Sequence, residues 1–253
     1  MGTSSLQYFF CSTLPPSQLK QICGTTAASR NVISGNGGAG LFIVVSSNNK
    51  VLGNRIGTTV SGTVALGNDA EGVFIADGSN NSVGDGTSGG SNTIAFNGGD
   101  GIAIFRSTST GNAISRNSIF SNAGLGIDLI GGFEDATGKT ANDPGDIDDG
   151  SNGLQNFPGL TSAKSSSTTT TISATLNSTP TKTFRVQFFS NPSGNEGKKF
   201  IGQKSVTTNG SGSVSFTFSP ASKVAVGQTI TATATDTSNN TSEFSAPRTV
   251  ASS

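Results

Sequence analysis

The chain of 253 residues has no histidine and no tryptophan, one tyrosine (Tyr8) and one methionine. Without imidazole there is no Ser-His-Asp triad, no Cys-His nucleophile pair and no histidine metal site. Enzymes that need a His or Tyr as acid or base are disfavoured for the same reason. Charged residues make up 12% of the chain, about half the usual share. Fifteen basic side chains balance fifteen acidic ones, so no nucleic-acid or anionic-membrane footprint is visible. The longest apolar run, Leu41 to Val45, is far too short for a helix that spans a bilayer. The two cysteines, Cys11 and Cys23, would close a small loop worth about 3 kcal/mol in an oxidising compartment. In a reducing one they would be free, and the sequence leaves the two states open.

Glycine is abundant, with 35 residues, and much of it falls in a repeat. The pattern is Asn, any residue, Ile, two of any, Asn, three of any, Gly, then two apolar residues two apart. Asn31 to Ile43 (NVISGNGGAGLFI), Asn92 to Ile104 (NTIAFNGGDGIAI) and Asn117 to Leu129 (NSIFSNAGLGIDL) are clean copies. Thr63 to Ile75 (TVALGNDAEGVFI) keeps the second half but has Thr63 and Ala65 at its front. The starts are spaced by 32, 29 and 25 residues. Such periods mark a solenoid, in which each unit buries its apolar face only by stacking on its neighbours. The apolar pairs Leu41/Ile43, Val73/Ile75 and Ile102/Ile104 have strand period. The glycines before them (Gly40, Gly72, Gly101, Gly126) suit a corner with unusual dihedrals. Shorter fragments of the same kind, Asn49-Lys50-Val51, Asn54-Arg55-Ile56, Asn81-Ser82-Val83 and Asn112-Ala113-Ile114, fall between the copies. The expected fold is all-β: a parallel β-helix of four to five coils, right-handed by the crossover rule. Asn36, Asn68, Asn97 and Asn122 would stack about 4.8 Å apart and form an amide ladder.

With these coils in view, the chain resembles the secreted right-handed parallel β-helix repeat proteins of bacteria. The stretches NVISGN…GLFI and GNRIGTTVSGTVALGN…GVFI carry the resemblance, which continues through Asn142 to Leu160 and into Thr231 to Ser245. It implies the fold and an extracellular or cell-surface location; the family has no common reaction. Residues 1–30 lack the basic start and apolar centre of a signal peptide. For an exported chain, that reads as a truncated or mis-started N-terminus.

Four segments follow. In residues 1–30, Ser17 is a fair helix N-cap and Gly24 a fair stop, so a short helix bearing Leu19 and Ile22 could cover the open end of the solenoid. Residues 31–130 are the coils, with long loops at 57–68 and 77–91. Residues 131–158 are an acidic junction without apolar periodicity. Residues 159–253 alternate again: Ile172/Ala174/Leu176, Phe184/Val186/Phe188, Val214/Phe216/Phe218 and Ile230/Ala232/Ala234, with further strands at 200–206 and 244–250. Six or seven short strands separated by turn signals predict an immunoglobulin-like β-sandwich, here resembling bacterial modules of that type. It would cap the other end of the solenoid.

Three candidate sites emerge. In the junction, Asp143, Asp146, Asp148, Asp149 and Asn152 converge within ten residues, with Gly145 and Gly150 permitting a tight wrap. Calcium takes six to eight oxygens from such a set, although the spacing departs from the EF-hand loop; the competing reading is a solvated acidic linker. On the coils, Glu71 and Asp100 share motif position nine and would lie about 5 Å apart if their coils stack directly, near the separation used by retaining glycosidases. Polysaccharide lyases built on β-helices resemble this differently, with stacked acids for calcium and an Arg or Lys as base, for which Arg55, Arg106 and Arg116 are available. The bland reading is a row of exposed corner charges. Finally, Phe42 and Phe74 share position twelve, between inward residues, and should point outward as a ring platform for sugar or a partner protein. The expected role is an exported, non-catalytic adhesion or matrix-binding module. Its partner would be a polysaccharide, a surface glycan or another surface protein, and calcium would stiffen the junction. The chain would act as a monomer or as part of a longer protein. The rival is a polysaccharide lyase or glycoside hydrolase acting on the coil face. An ice-binding solenoid lacks support, because no regular Thr ladder runs along the coils.

Overall fold

The computed structural model describes Gln21–Cys23, Thr26 and residues 29–253. Twelve short strands wind through four coils. In chain order they are β1 (Gln21–Cys23), β2 (Val32–Ile33), β3 (Leu41–Val44), β4 (Lys50–Leu52), β5 (Arg55–Ile56), β6 (Val73–Ala76), β7 (Ser82–Val83), β8 (Thr93–Ala95), β9 (Ile102–Phe105), β10 (Ala113–Ile114), β11 (Ser118–Phe120) and β12 (Ile127–Ile130). Every third strand belongs to the same sheet. The three parallel sheets run β1-β4-β7-β10, β2-β5-β8-β11 and β3-β6-β9-β12. The parallel β-solenoid read from the repeat is therefore present, with four coils of three strands each.

The registers place like residues in columns. Ile33, Ile56, Ile94 and Ile119 stack in the second sheet; Leu41, Val73, Ile102 and Ile127 stack in the third, beside Ile43, Ile75, Ile104 and Leu129. All belong to one buried cluster. β-Branched side chains dominate it because they are stiff at χ1 and fit a pleated surface.

Asparagine amides form three ladders at the corners, one foreseen and two in addition. Asn36, Asn68, Asn97 and Asn122 link at 2.7–2.8 Å. Asn31, Asn54, Asn92 and Asn117 link at 2.8–3.2 Å, and Asn49, Asn81 and Asn112 at 2.7 and 3.0 Å. Interior amides also donate to a corner carbonyl, as Asn92 Nδ2 does to Val51 O at 2.8 Å. Buried amides are thus satisfied within the repeat.

Three expectations change. The front of the second copy is not Thr63 to Ala65. Asn54 and Ile56 take the ladder and core positions, because Thr63 and Ala65 can supply neither an amide nor an Ile-sized side chain. The intervening residues loop out as a small hairpin, with Thr58 bridged to Ala65 and Thr59 N donating to Val64 O. The repeat glycines Gly40, Gly72, Gly101 and Gly126 have no positive φ. They are needed because coils approach closely: a Cβ on Gly72 would lie 2.6 Å from Gly101 O. Third, Gln21–Cys23 is not helical but pairs with Lys50–Leu52, so the first coil starts before residue 31. The rest of the expected capping helix, and Cys11, lie outside the described residues.

Eight strands follow: β13 (Gly159–Ser165), β14 (Thr170–Asn177), β15 (Thr183–Asn191), β16 (Lys199–Thr207), β17 (Ser213–Phe218), β18 (Thr229–Thr235), β19 (Arg248–Thr249) and β20 (Ala251–Ser252). They form two sheets, β17-β14-β13-β20 and β16-β15-β18-β19, antiparallel apart from the β13/β20 pair. Ile172, Leu176, Phe184, Val186, Phe188, Ile230, Ala232 and Ala234 make the core between them.

The sheet containing β15 and β18 is covered on both faces. Phe184, Val186 and Phe188 point to that core, while Phe189 joins the solenoid core and Gln187 donates to Ser115 Oγ at 3.2 Å. Phe244, expected in a last strand, instead packs into the solenoid core against Gly126. The open edge of the last coil is met group by group. Ile114 N donates to Thr241 Oγ1 at 3.0 Å, Arg116 N to Gln187 Oε1 at 3.0 Å, Ile119 N to Gly197 O at 3.0 Å and Leu129 N to Glu243 Oε1 at 3.2 Å. Glu196 Oε1 takes the next position of the Asn36–Asn122 ladder, 2.8 Å from Asn122 Nδ2. The two-sheet unit occupies the place of a fifth coil and hides strand edges that would otherwise be unpaired.

Candidate functional site

The outward face of the third sheet carries the aromatic residues. Within each strand Leu41/Ile43 and their equivalents point inward, so Phe42, Phe74, Ala103 and Asp128 form one outward row. Val44, Ala76, Phe105 and Ile130 form the next. Phe42 and Phe74 stand edge to face with centroids 5.7 Å apart, and Phe74 to Phe105 is 6.5 Å. Phe42 and Val44 are each 50% exposed. Arg106 lies 5.0 Å from the Phe105 ring centroid and pairs with Asp77 at 3.2 Å, giving the strip a charged rim. The sequence placed Phe42 and Phe74 here. Phe105 was missed because it lies one outward row over, at position fourteen of its copy.

The carboxylates gather at the opposite ends of these strands. Asp100 accepts a hydrogen bond from Leu125 N at 2.6 Å and is influenced by Glu71 across the coil boundary. Its direct partner is Asp128. Burial and the neighbouring Asp100 push Asp128 up to about 8. Burial also raises Asp100. Asp128 Oδ1 is buried with no hydrogen-bond partner. Arg106 is not part of this group. It follows β9 while Asp100 precedes it, a separation of about 20 Å at strand rise, and its guanidinium is held by Asp77. The trio Glu71, Asp100 and Arg106 is therefore not assembled; the close pair is Asp100 and Asp128.

In the junction, Asp143, Asp146 and Asp148 bring carboxylate oxygens within 4.8 Å of one another. Asp146 is the anchored member. It accepts from Gln155 Nε2 at 2.7 Å, from Asn156 N at 2.9 Å and from Ser178 Oγ, and burial pushes it up to about 6 against those hydrogen bonds. Asp143 Oδ2 accepts from Ile147 N at 3.1 Å. Asp143 Oδ1 and Asp148 Oδ1 are buried without partners, and burial raises Asp148 with Asp143 adding to it. An all-oxygen carboxylate set with two unsatisfied oxygens fits a hard cation rather than zinc or copper. Asp149 is exposed and outside the group. Asn152 is elsewhere: fully buried, it accepts from Asn112 N at 2.9 Å and donates to Asn112 O at 2.8 Å and Thr241 O at 3.1 Å. It ends an asparagine ladder, and its amide is not available to a metal.

Among the described residues, no helix is long and apolar enough to cross a membrane. Comparisons with protein-family models and with curated proteins find no match to the chain.

Proposed function

We propose that the protein is an exported, non-catalytic binding module that holds a polysaccharide or surface glycan on the outward face of the third sheet. The observation that carries this reading is the strip of rings Phe42, Phe74 and, one outward row over, Phe105, on successive coils of one face. Soluble proteins seldom leave such apolar strips uncovered without a use for them. Neighbouring rings one strand apart offer successive CH–π contacts to a chain of sugars, and Arg106 and Asp77 at the rim offer hydrogen bonds to hydroxyls. An extracellular life and a bacterial source follow from the resemblance of the coils to secreted β-helix proteins. On the same reading the two-sheet unit is an immunoglobulin-like module, in keeping with its two facing four-stranded sheets, and the solenoid is right-handed. Asp143, Asp146 and Asp148 hold calcium and stiffen the junction.

Affinity electrophoresis of the intact chain in gels containing neutral or acidic polysaccharides tests the reading. Retardation by one class, lost in Phe42→Ala/Phe74→Ala, supports it; migration unchanged in every gel defeats it. A hydrolase is the second reading, favoured by the close Asp100/Asp128 pair. It requires release of reducing ends from the retained polysaccharide, abolished by Asp128→Asn, whereas the binding module releases none.

A further inference from the structure

We propose that Glu243 is a proton-controlled latch holding the two-sheet unit against the last coil. Glu243 lies in the connection after β18 and is 1% exposed. Its Oε1 accepts from Leu129 N at 3.2 Å and its Oε2 from Thr140 N at 3.1 Å. It thus ties β12 and the start of the junction to the two-sheet unit at once.

The groups around it are unbalanced. Asp128 faces it from β12, Glu134 from the hairpin after β12, and Asp100 stands behind Asp128, with Glu71 beyond. The facing cation is Lys139, whose own neighbours include Asp135. Lys139 is committed as well: it donates to Phe244 O and lies 4.4 Å from the Phe157 ring centroid. Glu243 is thus a buried carboxyl group beside the part-buried Asp128, with Glu134 at the exposed rim, and Lys139 is the cation that acts on it. Placing several anions together at low dielectric is costly unless protons neutralise them. In agreement, burial moves Glu243 up to about 7, against the hydrogen bonds from Leu129 and Thr140 and the charge of Lys139, and Asp128 to about 8.

The direction follows from linkage. Glu243 has a raised value in the docked form and an ordinary one once the seam opens, whereas Asp128 keeps its neighbour Asp100 on the coils either way. The docked form therefore binds more protons across the interval from about 4 to about 7. Docking is favoured at the acidic end of that interval and weakens as pH rises through it.

Amide hydrogen exchange on the intact chain at pH 5.5 and pH 8.5, corrected for intrinsic exchange rates, reads the latch. Protection at Leu129, Thr140, Ile114 and Ile119 should fall by about tenfold or more at the higher pH, one pKa unit being one factor of ten. Protection at Val73 and Ile102, deep in the solenoid, should change far less. Glu243→Gln, which keeps an acceptor but cannot ionise, should flatten the dependence. Asp128→Asn should flatten it in part and serves where the first variant does not fold. Equal seam protection at both pH values in the unaltered chain overturns the proposal, as does an undiminished dependence in both variants.

Discussion

Asn112 donates its main-chain N–H to Oδ1 of Asn152, and Asn152 returns its amide to Asn112 O. The two are 40 residues apart, and only Asn112 belongs to the repeat. The last rung of this ladder is therefore borrowed from the junction, in the 3-10 turn Ser151–Leu154. Asn152 and Leu154 have positive φ there, so the turn accepts local strain in order to present the amide.

Replacing Asn152 by Ala removes one acceptor and two donors from a fully buried position. Asn112 N, Asn112 O and Thr241 O all lose a partner, at about 1–3 kcal/mol for each group left unsatisfied. Chemical denaturation should show a loss of at least about 2 kcal/mol. Calcium binding should survive in the folded fraction, since Asn152 lies outside the carboxylate group. Loss of calcium binding with unchanged stability would return Asn152 to the metal site.

Glycines should divide by approach rather than by dihedral. A Cβ at Gly72 would sit 2.6 Å from Gly101 O and 2.6 Å from Ile94 Cγ2, and neither backbone nor core can retreat. Gly72→Ala should cost more than about 2 kcal/mol, in the range of overpacked cores. Gly210, in the Asn-Gly turn before β17, has nothing within 4 Å. Its replacement by Ala should stay within about 0.5 kcal/mol. Thermal melts of the two variants decide.

Truncating an outward ring should separate binding from folding. Phe42 is half exposed, so Phe42→Ala should shift stability by less than about 1.5 kcal/mol while weakening polysaccharide retention. Phe188, buried and stacked on Phe218 at 4.4 Å, should cost about 3–5 kcal/mol as Phe188→Ala. If Phe42→Ala unfolds the chain instead, the ring is a core residue and not a contact.

Calcium at the junction should release a proton at mildly acidic pH. Asp146 has a raised value in the folded chain, so it favours the folded form at low pH and disfavours it increasingly as pH rises from about 4 to about 6. A bound cation reverses that preference by favouring the carboxylate. Calorimetric affinity should therefore fall between pH 7.5 and pH 5.5, with a heat that depends on buffer ionisation. Asp146→Asn should abolish the buffer dependence. Binding of equal strength at both pH values would remove Asp146 from the site.

The repeat was legible because it is local. Asn and Gly recur at fixed offsets around an apolar pair, and only stacked strands bury such pairs. The same locality misled at Thr63 to Ala65, where similar spacing concealed an inserted hairpin and the true front of the coil stood nine residues earlier. Phe42 and Phe74 could be read from register alone, but Phe105, one outward row over, could not. The Asp100/Asp128 pair could not, because it joins position nine of one copy to position twelve of the next. That contact depends on side-chain reach across coils and not on shared position.

By itself, the sequence determined the parallel stack and its Asn36–Asn122 ladder, since each is an instruction repeated with every coil and satisfied between neighbours, and it placed the outward pair Phe42 and Phe74. Tertiary structure decided how the stack ends. Glu243, Glu196, Gln187, Thr241 and Asn152 come from outside the repeat and share no motif. Their roles exist only because the last coil has no successor and its exposed N–H groups must find acceptors wherever the rest of the chain can bring them. Docking itself brings Glu243 beside the coil carboxyl groups, and no spacing along the chain announces it.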